Sequence, residues 1–136
     1  MIDAIDKKKL NAKLKEAIGK TASHLSEYQR LILADSSKDS MVLGWLAGDK
    51  SELVRSHVAA NPSCPESALV RLAGDGDEYI RSSVAYNPSC PESLLIRLAG
   101  DKSELVRHEV ANNPSCPESA LVRLASDVPR RKRTIG

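Results

Sequence analysis

The 136-residue chain has no phenylalanine, and one tryptophan and three tyrosines are all its aromatics. A core built on aromatic rings is therefore excluded, and what is buried must be Val, Leu, Ile and Ala, side chains that suit small helices. No apolar run approaches the roughly 20 residues of a membrane-spanning helix. The N-terminus, Met1-Ile2-Asp3-Ala4-Ile5-Asp6-Lys7-Lys8-Lys9, starts with acids and lacks the apolar stretch of a secretory signal, so the expected compartment is the cytoplasm. A phosphate-binding glycine loop, a nucleophile elbow and metal-ligand spacing are all missing. No enzyme activity and no cofactor is expected on that account. A strong charge surplus is missing too: net charge is +2, with 41% hydrophobic and 28% charged residues, the balance of an ordinary globular domain.

Charge is unevenly placed. Residues 1–45 hold 8 Lys/Arg and 6 Asp/Glu, residues 46–124 hold 8 and 11, and residues 125–136 hold 4 and 1. The middle is mildly acidic, which is not the basic stripe of a dedicated nucleic-acid-binding solenoid.

What the chain does have is a repeat. Ser-Cys-Pro-Glu-Ser occurs at 63–67, 89–93 and 115–119, a spacing of 26 residues each time. Leu-Ala-Gly-Asp begins at 46, 72 and 98, a Val/Ile-Arg pair at 54, 80 and 106, and Asn-Pro at 61, 87 and 113. A period between about 20 and 50 residues is the mark of a solenoid. The cysteines, Cys64, Cys90 and Cys116, occupy one equivalent position per repeat. Stacked helices sit about 8–10 Å apart, beyond the roughly 4.4–6.8 Å between Cα atoms that a disulfide spans. Three free thiols in a reducing compartment are expected.

Each repeat reads as two helices. Asp49 with Glu52 has capping-box spacing, as do Asp75/Glu78 and Asp101/Glu104, which places the first helix start at the aspartate. Val54 and Val58 share a face, as do Ile80/Val84 and Val106/Val110, and Asn61-Pro62 ends the helix. The second helix is expected from Ser63-Cys64-Pro65-Glu66, again with capping-box spacing, and Leu69, Leu72 and Ala73 face inward. Neither helix is long enough to stand alone, so neighbouring repeats depend on one another.

Residues 28–45 read as a degenerate copy. A shift of 26 puts Ile32 on Val58, Leu43 on Leu69, Leu46 on Leu72 and Trp45 on Arg71, while Asp35-Ser36 replaces Asn-Pro and Lys38 replaces the cysteine. Residues 1–27 form a capping segment, with Ile2, Ile5, Leu10, Leu14 and Ile18 on one side of an amphipathic helix. The regular repeats run 46–71, 72–97 and 98–123. A further copy starts at Leu124-Ala125-Ser126-Asp127 and is expected to break at Pro129, leaving 128–136 as a disordered basic tail.

The pattern Val-Arg-x-x-Val-Ala-x-Asn-Pro-x-x-Pro-x-x-x-Leu-x-x-Leu-Ala, running from Val54 to Ala73, Ile80 to Ala99 and Val106 to Ala125, resembles the leucine-rich repeat variant family. The resemblance covers residues 46–125, and 28–45 in degenerate form. It implies a fold similar to HEAT and armadillo repeats, helices stacked in a right-handed superhelix, with one helix of each pair short or of 3₁₀ type. It also implies an interaction scaffold without fixed activity. The family prototype carries a cysteine-rich iron–sulfur segment before its repeats. No Cys precedes Cys64 here, so that feature does not carry over.

Candidate binding residues follow from the ladders and from their exceptions. Arg55, Arg81 and Arg107 either clamp phosphates or carboxylates of a partner or pair with the aspartates and glutamates that recur in step with them. Arg71, Arg97 and Arg123 form a second row with fewer acids in step. Asn61, Asn87 and Asn113 suit helix ends and turns. The cysteines start a helix, where the dipole lowers a thiol pKa, or are small buried thiols. Positions that differ between repeats are expected to be exposed: Ser56/Ser82/His108, His57/Ser83/Glu109 and Ala60/Tyr86/Asn112. Tyr79 and Tyr86 are candidate anchors for a partner. Arg130, Arg131, Lys132 and Arg133 either touch nucleic acid or anionic lipid or simply solubilise the end. The expected protein is an all-α, right-handed α-solenoid of about four two-helix repeats with an N-terminal cap. Its expected role is non-enzymatic protein–protein interaction, with nucleic-acid binding through the arginine rows and basic termini as the alternative; nothing in the sequence fixes an oligomeric state.

Overall fold

The computed structural model describes residues 8, 9, 12 and 25–135, and over 127–135 the backbone alone. From residue 25 to 135 the chain forms eight helices and no strand: α1 (Glu27–Ser36), α2 (Ser40–Leu46), α3 (Glu52–Ala60), α4 (Glu66–Leu72), α5 (Glu78–Tyr86), α6 (Glu92–Leu98), α7 (Glu104–Asn112) and α8 (Glu118–Ile135). Odd-numbered helices stack on one another in one layer, α1 on α3 on α5 on α7. The even-numbered helices, shorter except for α8, form the second layer, and each packs on its partner within the repeat. This is an all-α helical repeat fold. The expected amphipathic helix of residues 2–20 lies outside the described residues, apart from 8, 9 and 12, which are helical.

The core is aliphatic, as the missing aromatics require. Val54, Val58 and Ala59 of α3 recur as Ile80, Val84 and Ala85 of α5; Leu69, Leu72 and Ala73 recur as Leu95, Leu98 and Ala99. All are buried, and burying one such Val, Leu or Ile stabilises by about 1.5–3 kcal/mol. The small Ala34, Ala59 and Ala85, each fully buried, leave room for the next odd-numbered helix.

That close approach serves the asparagine ladder. Each odd-numbered helix ends with carbonyls that have no helical donor. Asn61 Nδ2 donates to the Ala34 and Ser37 carbonyls of the previous repeat, both at 2.9 Å. Asn87 donates likewise to Ala59 (2.7 Å) and Asn61 (2.9 Å), and Asn113 to Ala85 (2.7 Å) and Asn87 (3.1 Å). The side-chain oxygens accept the N–H of Ser63, Ser89 and Ser115. A buried amide thus has both donors and its acceptor engaged, which is the condition for burying it without penalty.

Four expectations about local structure need correction. The first helices do not start at the aspartates: their N-caps are Ser51, Asp77 and Ser103, two residues later. Asp49, Asp75 and Asp101 instead accept the N–H of those cap residues at 2.8–3.0 Å. The loop holds two good capping residues in succession, and the nearer one caps. The second helices start at Glu66 and Glu92, and the cap positions fall on Pro65 and Pro91, whose side chains hold no acceptor, so there is no side-chain cap. In the degenerate repeat the register of α1 is 25 residues, not 26: Leu33 and Ala34 are fully buried where Val58 and Ala59 are, and Ile32 is half-buried. This helix is capped by Ser26 in a complete capping box, so the repeat begins ahead of residue 28. Finally, α8 continues through Pro129 to Ile135. A proline removes one hydrogen bond and bends a helix without always ending it.

Candidate interaction surface

The first arginine row is an internal clip, so two of its three members are not a docking surface. Arg55 Nε donates to Asp75 Oδ2 at 2.8 Å and Arg81 Nε to Asp101 Oδ2 at 2.9 Å, each reaching forward into the next repeat. Each Nη1 donates backward, from Arg55 to the Asp49 carbonyl and from Arg81 to the Asp75 carbonyl. Arg107 makes the same backward contact with the Asp101 carbonyl, at 2.7 Å. The loop between repeats is thereby held from both sides. The Asp101 hydrogen bond raises the Arg81 pKa. Burial pushes the Asp101 carboxyl up, but the Arg81 guanidinium and the Ser103 amide pull it down further, and it ends below its ordinary value. A shallow depression lined by Gly74, Asp75, Gly76, Arg81, Asp101 and Lys102 overlies this pair, whose charges already satisfy each other.

Sequence reasoning missed a fourth member. Arg30 Nε donates to Asp49 Oδ2 at 2.8 Å and Nη1 to the Leu25 carbonyl at 2.8 Å. The signal is Arg30-x-x-Leu33-Ala34, which matches Arg55-x-x-Val58-Ala59 once the 25-residue offset is allowed.

Arg71, Arg97 and Arg123 lie on the even-numbered helices and are exposed. Each guanidinium rests beside the glycine that follows the preceding even-numbered helix. A Cβ on Gly48 would collide with the Arg71 guanidinium and one on Gly100 with that of Arg123, while Arg97 lies looser by Gly74. Arg123 Nη1 also donates to the Ile96 carbonyl at 3.2 Å. The positions therefore cover helix C-termini, where cations are favoured. Glu66, Glu92 and Glu118, the first residues of the same helices, are exposed as well.

The cysteines are unpaired, Cys64 and Cys90 buried and Cys116 half-buried. Burial pushes Cys64 and Cys90 up to about 12 and raises Cys116 as well, the reverse of activation by a helix dipole. His57 Nδ1 lies 3.3 Å from Asp35 Oδ1, and His108 Nε2 lies 3.0 Å from Asn112 Nδ2 on one exposed helix face. Ser82 breaks the expectation for varying positions: it is buried, and its hydroxyl donates to the Tyr79 carbonyl at 2.8 Å. Side chains of Arg130, Arg131, Lys132 and Arg133 lie outside the described residues. Among the described residues no group of three His, Cys, Asp or Glu side chains could hold a metal ion, and no helix is long and apolar enough to cross a membrane.

Two exposed apolar rows take no part in the core: Val70, Ile96 and Val122 on the even-numbered helices, 43%, 36% and 59% exposed, and a more exposed row on the outer ridge of the odd-numbered helices. Tyr79 and Tyr86 stand on α5, exposed by 67% and 66%. Tyr79 is not a singular residue. Its equivalents two positions past each N-cap are Tyr28, Leu53 and Leu105; the first two are 64% and 56% exposed and the third is half-buried. The helix starts are aligned across repeats: the Ser51 hydroxyl donates to Glu27 Oε2 and the Ser103 hydroxyl to Glu78 Oε1, both at 2.6 Å. Tyr28, Leu53, Tyr79 and Leu105 therefore form one apolar row, a rung per repeat. The sequence signal was an apolar residue beside, but not on, the Val54/Val58 face. The chain matches no family model, no curated protein and no solved structure.

Proposed function

We propose that the chain is a non-enzymatic helical-repeat scaffold that binds another protein along the outer ridge of its odd-numbered helices. The observation that carries this reading is the row Tyr28, Leu53, Tyr79, Leu105. An apolar side chain is kept in every repeat at a place where the core does not use it, and such exposed rows mark binding surfaces. Tyr86, Ala60 and Asn112, at the far end of the same ridge, supply the variation that distinguishes one partner from another. The resemblance of the repeats to the leucine-rich repeat variant family supports a scaffold role, and their unpaired thiols fit a reducing compartment such as the cytoplasm. Nucleic acid is less well served: Arg30, Arg55 and Arg81 are neutralised by aspartates, and each helix that carries an exposed arginine also carries an exposed glutamate.

A display-library selection on the full chain tests the reading. Selected binders should lose roughly tenfold in affinity on Tyr79→Ser and on Leu53→Ser, the scale of a hot-spot truncation, while circular dichroism shows both variants folded. Binders indifferent to both substitutions, or turnover of a substrate by the isolated protein, would refute it.

A further inference from the structure

The apolar row has a charged companion. Immediately before each rung stands a glutamate, the first residue of its helix: Glu27, Glu52, Glu78 and Glu104, all exposed. The cap residue Asp77 adds a fifth carboxylate at this edge, and Lys50 and Lys102 are the basic groups in the adjoining loops. Asp49, Asp75 and Asp101 do not add to the field, because Arg30, Arg55 and Arg81 hold them. Glu27, Glu52, Asp77 and Glu78 thus make the edge negative as well as apolar.

The spacing selects the shape of the ligand. Stacked helices are about 8–10 Å apart. A β-strand repeats one face every second residue, at roughly 6.6 or 13 Å, and misses that spacing. An α-helix returns to one face after seven residues, about 10.5 Å, just beyond the upper end of that range. A polyproline II segment has three residues per turn and a rise of about 3.1 Å, so every third side chain points the same way at about 9.3 Å. Each turn also offers a second side chain beside the first, one for the apolar row and one for the glutamate row.

We propose that the partner of this surface is an extended, proline-stiffened protein segment carrying basic side chains, laid across the starts of the odd-numbered helices with one triplet per repeat. The inference rests on the reading of the ridge as a binding surface. Aromatic side chains are a known platform for such segments, whose stiffness lowers the entropy lost on binding, and Tyr28 and Tyr79 supply them at alternate rungs.

The test is amide-shift titration of the full isotope-labelled chain with three dodecapeptides: four Leu-Arg-Pro triplets, four Leu-Glu-Pro triplets, and four Leu-Arg-Gly triplets. The first should shift the amides of Leu53, Glu78 and Tyr79. It should bind about tenfold more tightly than the acidic peptide and several-fold more tightly than the flexible one. Glu52→Gln with Glu78→Gln should weaken it about three- to tenfold; the Gln carbonyl still accepts the Ser103 hydroxyl, so the fold is kept. Equal binding of the acidic or the flexible peptide, or indifference to the paired Gln substitutions, overturns the partner chemistry and leaves the ridge as the binding surface. Silence at the ridge with all three peptides overturns the inference. Shifts confined to Val70, Arg71 and Ile96 overturn the inference and the choice of ridge together.

Discussion

Asn87→Asp replaces one NH₂ group by an oxygen and changes nothing in size. Asn87 is fully buried. Its Nδ2 donates to the Ala59 carbonyl at 2.7 Å and to the Asn61 carbonyl at 2.9 Å. The substitution removes both donors and turns an oxygen toward two carbonyls. A buried polar group left without its partner costs about 1–3 kcal/mol. The third bond, from the Ser89 N–H, survives and strengthens against a carboxylate. A net loss of about 3–5 kcal/mol at pH 7 is expected, a large part of the roughly 5–15 kcal/mol that holds a domain. The loss also has a pH dependence. Burial against two carbonyls raises the new carboxyl's pKa in the fold above its unfolded value of about 3.9. The folded chain then keeps a proton that the unfolded chain has released, so the penalty is smaller below pH 4 and grows as pH rises through that value. Urea titrations followed by circular dichroism at pH 4 and pH 7 measure both effects. The exposed Asn112→Asp is the control and should stay within about 0.5 kcal/mol of the parent. An Asn87→Asp protein within about 1 kcal/mol of the parent at pH 7 would refute the view that this ladder joins the repeats.

Further expectations concern the core, the clips and the thiols. Leu95→Ala should cost about 2–5 kcal/mol by urea titration. The equivalent Leu121→Ala, at a position 45% exposed where Leu95 is fully buried, should cost under about 1 kcal/mol; equal losses would mean the stack buries the last copy as it does the third. Asp101 has its pKa lowered in the fold, so its contribution is present above its unfolded value and disappears as pH falls through its folded one. Asp101→Asn should therefore flatten the acid limb of a stability–pH curve, and an unchanged limb would count against the clip. In a thiol-titration assay without denaturant Cys116 should react first. Cys64 and Cys90, buried with pKa values pushed up to about 12, should react at a useful rate only once urea opens the chain.

Much of this was legible in the sequence because periodicity carries packing directly. Val54 and Val58 four apart, or Leu69 and Leu72 three apart, can share only one face of a helix, and both faces prove buried. Arg55 in step with Asp49 and Asp75 announced a pairing, though not its direction: the guanidinium bonds the side chain of the next repeat and the backbone of its own loop. What stayed hidden depended on the stack. Whether Leu53 is core or surface is decided by how α3 leans on α1 and α5, and a helical wheel holds no record of that. The one-residue slip at Arg30 was masked because α1 is one residue longer than its counterparts and the shift is made up before Asp39. The helix starts were misread for a chemical reason, since Asp49 and Ser51 are both capping residues and only the cross-repeat arginine decides between them.

The asparagine and arginine–aspartate clips all cross the boundary between repeats. Removing or duplicating 26 residues inside the regular copies would therefore hand every donor to an equivalent acceptor. The first repeat keeps the same clips with a 25-residue offset, because the difference is taken up between α1 and Asp39. Whole 26-residue units preserve the contacts without such an adjustment, and each unit adds or removes one rung of the apolar row with its glutamate. Reach along a partner is then counted in steps, so a protein of this build can be graded from weak to tight binding by copy number, with no new residue chemistry.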